Sequence, residues 1–120
     1  MSHSHAKKYN NEFKVDLISS ILNNNEIAAI SAIKSNPASV LSIHAESGMS
    51  APMLALWLDR NTILKAIFEF AGSEVDFRHQ TNDELTLLEL ALIKQDRDLI
   101  DMVQGYYEHW APHILNNPEP

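Results

Sequence analysis

Ala51-Pro52-Met53-Leu54-Ala55-Leu56 and Thr86-Leu87-Leu88-Glu89-Leu90-Ala91 are the two stretches whose comparison decides the fold. Laid over one another at an offset of 35, they bring the runs that follow into line. Leu64-Lys65-Ala66-Ile67-Phe68 then stands against Leu99-Ile100-Asp101-Met102-Val103. Each unit reads as a short apolar helix, a tight break, a second helix and a polar loop. The breaks fall near Asp59-Arg60-Asn61 and Gln95-Asp96. A unit of this kind buries its apolar face only by stacking on a neighbour.

Working outward, the same pattern begins earlier. From Glu12, Val15, Ile18 and Leu22, with Leu17 and Ile21, recur at helical spacing. Asn23-Asn24-Asn25 stops that helix, since Asn tolerates the left-handed backbone of a helix end. Asn25 can cap the next helix, where Ile27, Ile30 and Ile33 repeat. Pro37 either opens a short helix or begins an extended loop, and Ser47-Gly48 marks a turn. Asn61 or Thr62 is the expected cap of the helix carrying Ile63 to Ala71, with Gly72 as its left-handed end. Residues 73–84 read as polar loop, and Trp110-Ala111-Pro112 ends the last helix. No strand-like alternation stands out. The expected class is all-α: a short helical solenoid of about three degenerate helix-turn-helix repeats. Residues 1–10 read as a flexible arm, 11–114 as one repeat domain and 115–120 as a tail.

These residues carry a resemblance. The two units resemble ankyrin repeats, whose period is about 33 and whose opening is Thr-Pro-Leu-His-x-Ala-like. Ala51-Pro52-Met53-Leu54 has the proline of that opening; Thr86 to Ala91 has the threonine, the leucines and the alanine. Gly72-Ser73-Glu74-Val75-Asp76-Phe77-Arg78-His79 is similar to the loop that leads into the family's β-hairpin. Glu26-Ile27-Ala28-Ala29-Ile30 resembles the start of a second helix in an earlier unit. The likeness covers residues 12–110 and is best over 50–104. Arg60 and Gln95 depart from it, standing where the family has glycine between helices, and Trp57 replaces a small alanine.

Composition narrows the function. The chain has 120 residues, 45% hydrophobic and 21% charged, the balance of a soluble globular domain. Its formal charge is −7, which argues against a general nucleic-acid binder. The charge is uneven: residues 69–101 carry nine acids and three bases. A basic partner would be steered to that half, although an acidic face also serves simple solubility. There is no cysteine, so disulfides, thiolate metal sites and a cysteine nucleophile are excluded. The polar start, MSHSHAKKYNNEFK, is unlike a secretory signal. The longest apolar run, Met53 to Leu58, is far too short to span a bilayer, so we expect no membrane association and a cytoplasmic protein.

Signals for chemistry are weak. His109 and His113 have helical metal spacing, but Pro112 between them breaks the helix. His3 and His5 lie in the arm, and His44 and His79 in loops. Asp96, Asp98 and Asp101 lack the glycine and terminal glutamate of a calcium loop; Asp96 reads better as a helix N-cap. No Gly-x-Ser-x-Gly elbow exists, and three glycines cannot build a phosphate-cradling loop. We expect no enzyme, no cofactor and no metal. Met53, Trp57, Tyr106, Tyr107 and Trp110 read as core filling or as a cover for the end of the stack; exposed, they would mark an interface.

The resemblance implies a protein-binding scaffold whose contacts come from loop tips and from the exposed side of the first helix of each pair. Carried onto this chain, those positions are Glu46, Ser47 and Gly48 in the first loop and Asn82, Asp83 and Glu84 in the second, flanked by Arg78 and His79. On the helices they are Leu58 and Asp59, then Ile93 and Lys94. The expected partner is a protein with a basic surface, steered by charge and held by apolar contacts. A small acidic binder suits an immunity- or antitoxin-type inhibitor; the alternative is an adaptor or effector that docks without inhibiting. A weak homodimer is a further expectation.

Overall fold

A computed structural model describes residues 16–110. The arm, the first turn of the helix expected from Glu12, His3, His5, His113 and the tail lie outside the described residues. The described chain is mostly helical, with one very small sheet. Its α-helices are α1 (Leu17–Leu22), α2 (Glu26–Ser35), α3 (Ala51–Trp57), α4 (Asn61–Ala71), α5 (Leu87–Lys94) and α6 (Arg97–Trp110). Two 3₁₀ turns, Pro37–Leu41 and Gly72–Glu74, follow α2 and α4.

Local chemistry explains most boundaries. Asp16 caps α1 by accepting from the Ile18 amide at 3.2 Å. Asn25 caps α2 by accepting from Ala28 at 3.1 Å, as its sequence position implied. Thr86 and Glu89 form a reciprocal capping box on α5, with the Thr86 amide donating to Glu89 Oε1 at 2.8 Å. Asp96 Oδ1 accepts from the Asp98 and Leu99 amides and so caps α6. The cap expected at Asn61 or Thr62 is not found. The position before α4 is held by Arg60, which makes no side-chain cap there. Its guanidinium reaches back to the preceding helix pair: Nε donates to the Ile21 carbonyl at 2.9 Å and Nη2 to that of Leu22 at 3.0 Å. A cation at the carbonyl end of α1 offsets the dipole there and satisfies acceptors that have no partner within the helix.

The helices are arranged as successive pairs. α1 packs on α2, α3 on α4 and α5 on α6; α1, α3 and α5 pack in series, and α2 packs on α4. The apolar sides meet in one core, with Ile21, Ile33, Met53, Leu56, Ile63, Leu64, Phe68 and Leu90 among its buried members. α6 also packs on the Gly72–Glu74 turn.

The repeat offset of 35 read between the second and third units needs correction. Gly48 and Glu84 both have positive φ, at 75° and 67°. Ser50 and Thr86 both stand at N-cap positions. Asp59 and Gln95 are both left-handed, at 62° and 58°. All three pairs are separated by 36 residues. The residue between helices is therefore Asp59, not Arg60. Proline misled the alignment: Pro52 sits in the first turn of α3, where a missing N–H costs nothing, and the cap is two residues before it. The first pair keeps the mark too, since Asn24 is left-handed at 54°.

Three further expectations change. Two short strands exist, β1 (Ile43–His44) and β2 (Met49–Ser50), antiparallel with Ile43 opposite Ser50. Two residues per strand are too few to display alternation. Gly72 is not left-handed; its φ of −57° and ψ of −35° are helical. Glycine is needed there because a Cβ would overlap the Trp110 indole. Residues 73–84 are not simply polar loop, since Val75, Phe77 and Thr81 are buried. Phe77 stacks at 6.1 Å on Phe68 and meets Tyr107 edge-on at 5.5 Å, while Tyr106 stacks on Phe68 at 4.5 Å. No helix among the described residues is long and apolar enough to cross a membrane.

Candidate functional site

The two loop tips are bound to one another. The first tip is the β1–β2 turn, closed by the Gly48 amide donating to the His44 carbonyl at 2.8 Å. Within it, His44 Nδ1 lies 2.8 Å from Ser47 Oγ, which also accepts from the Met49 amide at 3.1 Å. The Ser47 hydroxyl thus links the His44 ring to the backbone of the turn. The second tip is built on Thr81. Its buried hydroxyl accepts from the Asp83 and Leu85 amides, and its own amide donates to the Leu85 carbonyl at 2.9 Å.

Asn82 joins the tips. Its amide donates to the Ser47 carbonyl and its Nδ2 to the Glu46 carbonyl, each at 3.1 Å. His79 Nε2 lies 2.7 Å from the Gly48 carbonyl, so that nitrogen carries the proton and donates. Gly48 sits close under Asn82, and a Cβ there would overlap it. Satisfying these backbone groups through side chains from the next loop holds both tips in one geometry.

The expected site residues thus divide. Glu46, Asn82, Asp83 and Glu84 are exposed on the joined tips, and Ser47 is half-buried between them. His79 is half-buried and serves the tie to Gly48. Arg78 is exposed beside it. Leu58 is half-buried and packs against the core. Lys94 turns inward rather than outward: Nζ pairs with Asp59 Oδ1 at 2.8 Å, donates to the Trp57 carbonyl at 3.0 Å and lies 5.5 Å from the Trp57 ring centroid. It does for α3 what Arg60 does for α1. Each next pair sends a cation to the carbonyl end of the helix before it.

Trp57, expected to mark an interface only if exposed, is exposed and joins the site, although it was not among the tip and helix positions expected to bind. Moving the register from 35 to 36 puts Trp57, not Leu58, opposite Ile93. Leu22 precedes Asn24 as Trp57 precedes Asp59 and Ile93 precedes Gln95, each by two residues. All three keep substantial exposure: 42% for Leu22, 39% for Trp57 and 51% for Ile93. Equivalent positions in the first helices of three successive pairs thus present large apolar side chains to solvent, a recurrence that marks more than a scattered exposed residue. The signal was available as a cross-repeat comparison, and one residue of misalignment hid it.

Trp57 also borders a cavity of about 440 Å³ beneath the joined tips. Met49, Leu85 and Leu90 line its apolar part, and Glu46, Asn82 and Asp83 its polar part. A second cavity, of about 620 Å³, lies between α4 and α6 and is lined by Lys65, Glu69, Asp98, Met102 and Tyr106. It involves none of the tip residues. Among the described residues no group of three or more His, Asp or Glu is placed to hold a metal ion. Asp96 is occupied in capping, and Asp101 lies 3.8 Å from Arg97. Compared with protein-family models, with curated proteins and with solved structures, the chain matches none.

Proposed function

We propose that the helix pairs form a short ankyrin-like stack and that the chain is a protein-binding module for a basic protein, acting as a small inhibitor of the immunity or antitoxin kind. The observation that carries the binding reading is the meeting of two acidic tips with an exposed tryptophan over one cavity. Charge at the tips favours encounter with a basic surface, and Trp57 and Ile93 supply apolar area to hold it. Tips joined before binding lose little freedom when a partner arrives. The 36-residue recurrence of turn, cap and left-handed residue supports the stack. The inhibitor form draws on small size and acidic balance. The adaptor form differs from it in one readout, the partner's own activity.

The test is co-purification from the native cell extract at low and high salt, with mass spectrometry. Expected is one stoichiometric basic protein, weakened by salt, lost on Asp83→Lys with Glu84→Lys, and lost on Trp57→Ala. Its activity, assayed with and without this chain, then separates inhibition from docking. A partner that binds the charge-reversed and Trp57→Ala chains equally well would overturn the proposed surface. Recovery of no protein partner at either salt would overturn the module reading in that cell state.

A further inference from the structure

The cavity beneath the tips has the form and charge to select one kind of side chain. Its apolar members are Met49, Trp57, Leu85 and Leu90. Glu46 and Asp83, both exposed, are its acidic members, and the Glu46 carboxylate also lies 3.8 Å from His44 Nε2. Among the described residues, no Lys, Arg or His lines it. Lys94 is nearby, against Trp57, but its ammonium is engaged by Asp59 and by the Trp57 carbonyl. The indole nevertheless stays partly exposed.

A long apolar stem ending in a cation is the complement of a lining that is part apolar and part acidic. Lysine and arginine both have that form. Arginine suits this cavity better. Its guanidinium is weakly hydrated, so it leaves water more readily than an ammonium. It is planar, so it stacks on an indole and forks across carboxylate oxygens. Asn82 fixes the distance between the two carboxylate-bearing tips in advance.

We infer that this cavity is a socket for one arginine side chain of the basic partner. The inference rests on the module reading and names the group that enters the surface. Its test needs no partner. The full chain, labelled with nitrogen-15, is titrated with N-acetyl-arginine methylamide, and in parallel with the lysine and citrulline equivalents. Expected are saturable shifts at the amides of Glu46, Ser47 and Asn82 and at the Trp57 indole N–H. The arginine probe should bind at least ~5-fold more tightly than the lysine probe, and citrulline more weakly still. Glu46→Gln with Asp83→Asn, both exposed substitutions checked by unchanged melting temperature, should weaken the arginine probe by at least ~5-fold. Equal binding of arginine and lysine, or shifts spread over every acidic surface, would overturn the socket. So would undiminished binding to the double variant. A basic protein recovered from the extract alongside a failed titration sinks the socket alone. A specific titration without any protein partner leaves an arginine-selective cavity standing and overturns its assignment to a basic partner protein.

Discussion

Asn24, Asp59 and Gln95 hold a left-handed backbone that glycine adopts without strain. They occupy one position in three successive helix pairs, yet they differ in what else they do. Gln95 closes its turn through the backbone alone, its amide donating to the Leu92 carbonyl. Asp59 also pairs with Lys94. Gln95→Gly should therefore stabilise the fold by about 0.5–1 kcal/mol in urea unfolding, because relief of a left-handed side chain outweighs the added freedom of the unfolded chain. Asp59→Gly should give less, since it releases the Lys94 ammonium. Gly48 is the opposite case. Its φ is 75° and Asn82 leaves no room for a Cβ. Gly48→Ala should cost at least about 2 kcal/mol by the same measurement. Unchanged stability there would mean that the two tips are not tied as described.

At the scale of the element, two devices join one helix pair to the next. The first is the cation at a helix end. Arg60→Met keeps the apolar stem and removes the donors to Ile21 and Leu22. It should cost about 1.5–3 kcal/mol, the range for hydrogen bonds to charged groups, read as a lower urea midpoint with an unchanged slope. The second is the aromatic pin, Phe77 between Phe68 and Tyr107. Phe77→Ala should cost about 3–5 kcal/mol. A loss under about 1 kcal/mol would show residues 73–84 to be independent of the core.

The elements also mark what was legible beforehand. Breaks and side-chain caps were readable where the local residue does the local work, as at Asn25 and Asp96. Arg60 was not, because its partners are carbonyls 38 and 39 residues away. Gly72 was misread for a similar reason: its need comes from Trp110 across the fold, not from its own φ. Phe77 was lost in a segment whose other residues are polar. The tip positions Glu46, Ser47, Asn82 and Asp83 were placed in one neighbourhood by the family resemblance, whereas Trp57 depended on a register that only paired backbone marks could set.

Across the whole molecule, the tips and Trp57 border one cavity, and the larger cavity between α4 and α6 shares none of their residues. The binding reading therefore makes a claim about place as well as partner. Hydrogen–deuterium exchange of the chain, alone and saturated with the basic protein it captures, tests that claim most directly. Expected is slowed exchange over residues 45–49, 57–59, 81–85 and 92–94, with 61–69 and 97–105 unchanged. Slowed exchange confined to 61–69 and 97–105 would contradict it and move the site to the cleft between α4 and α6.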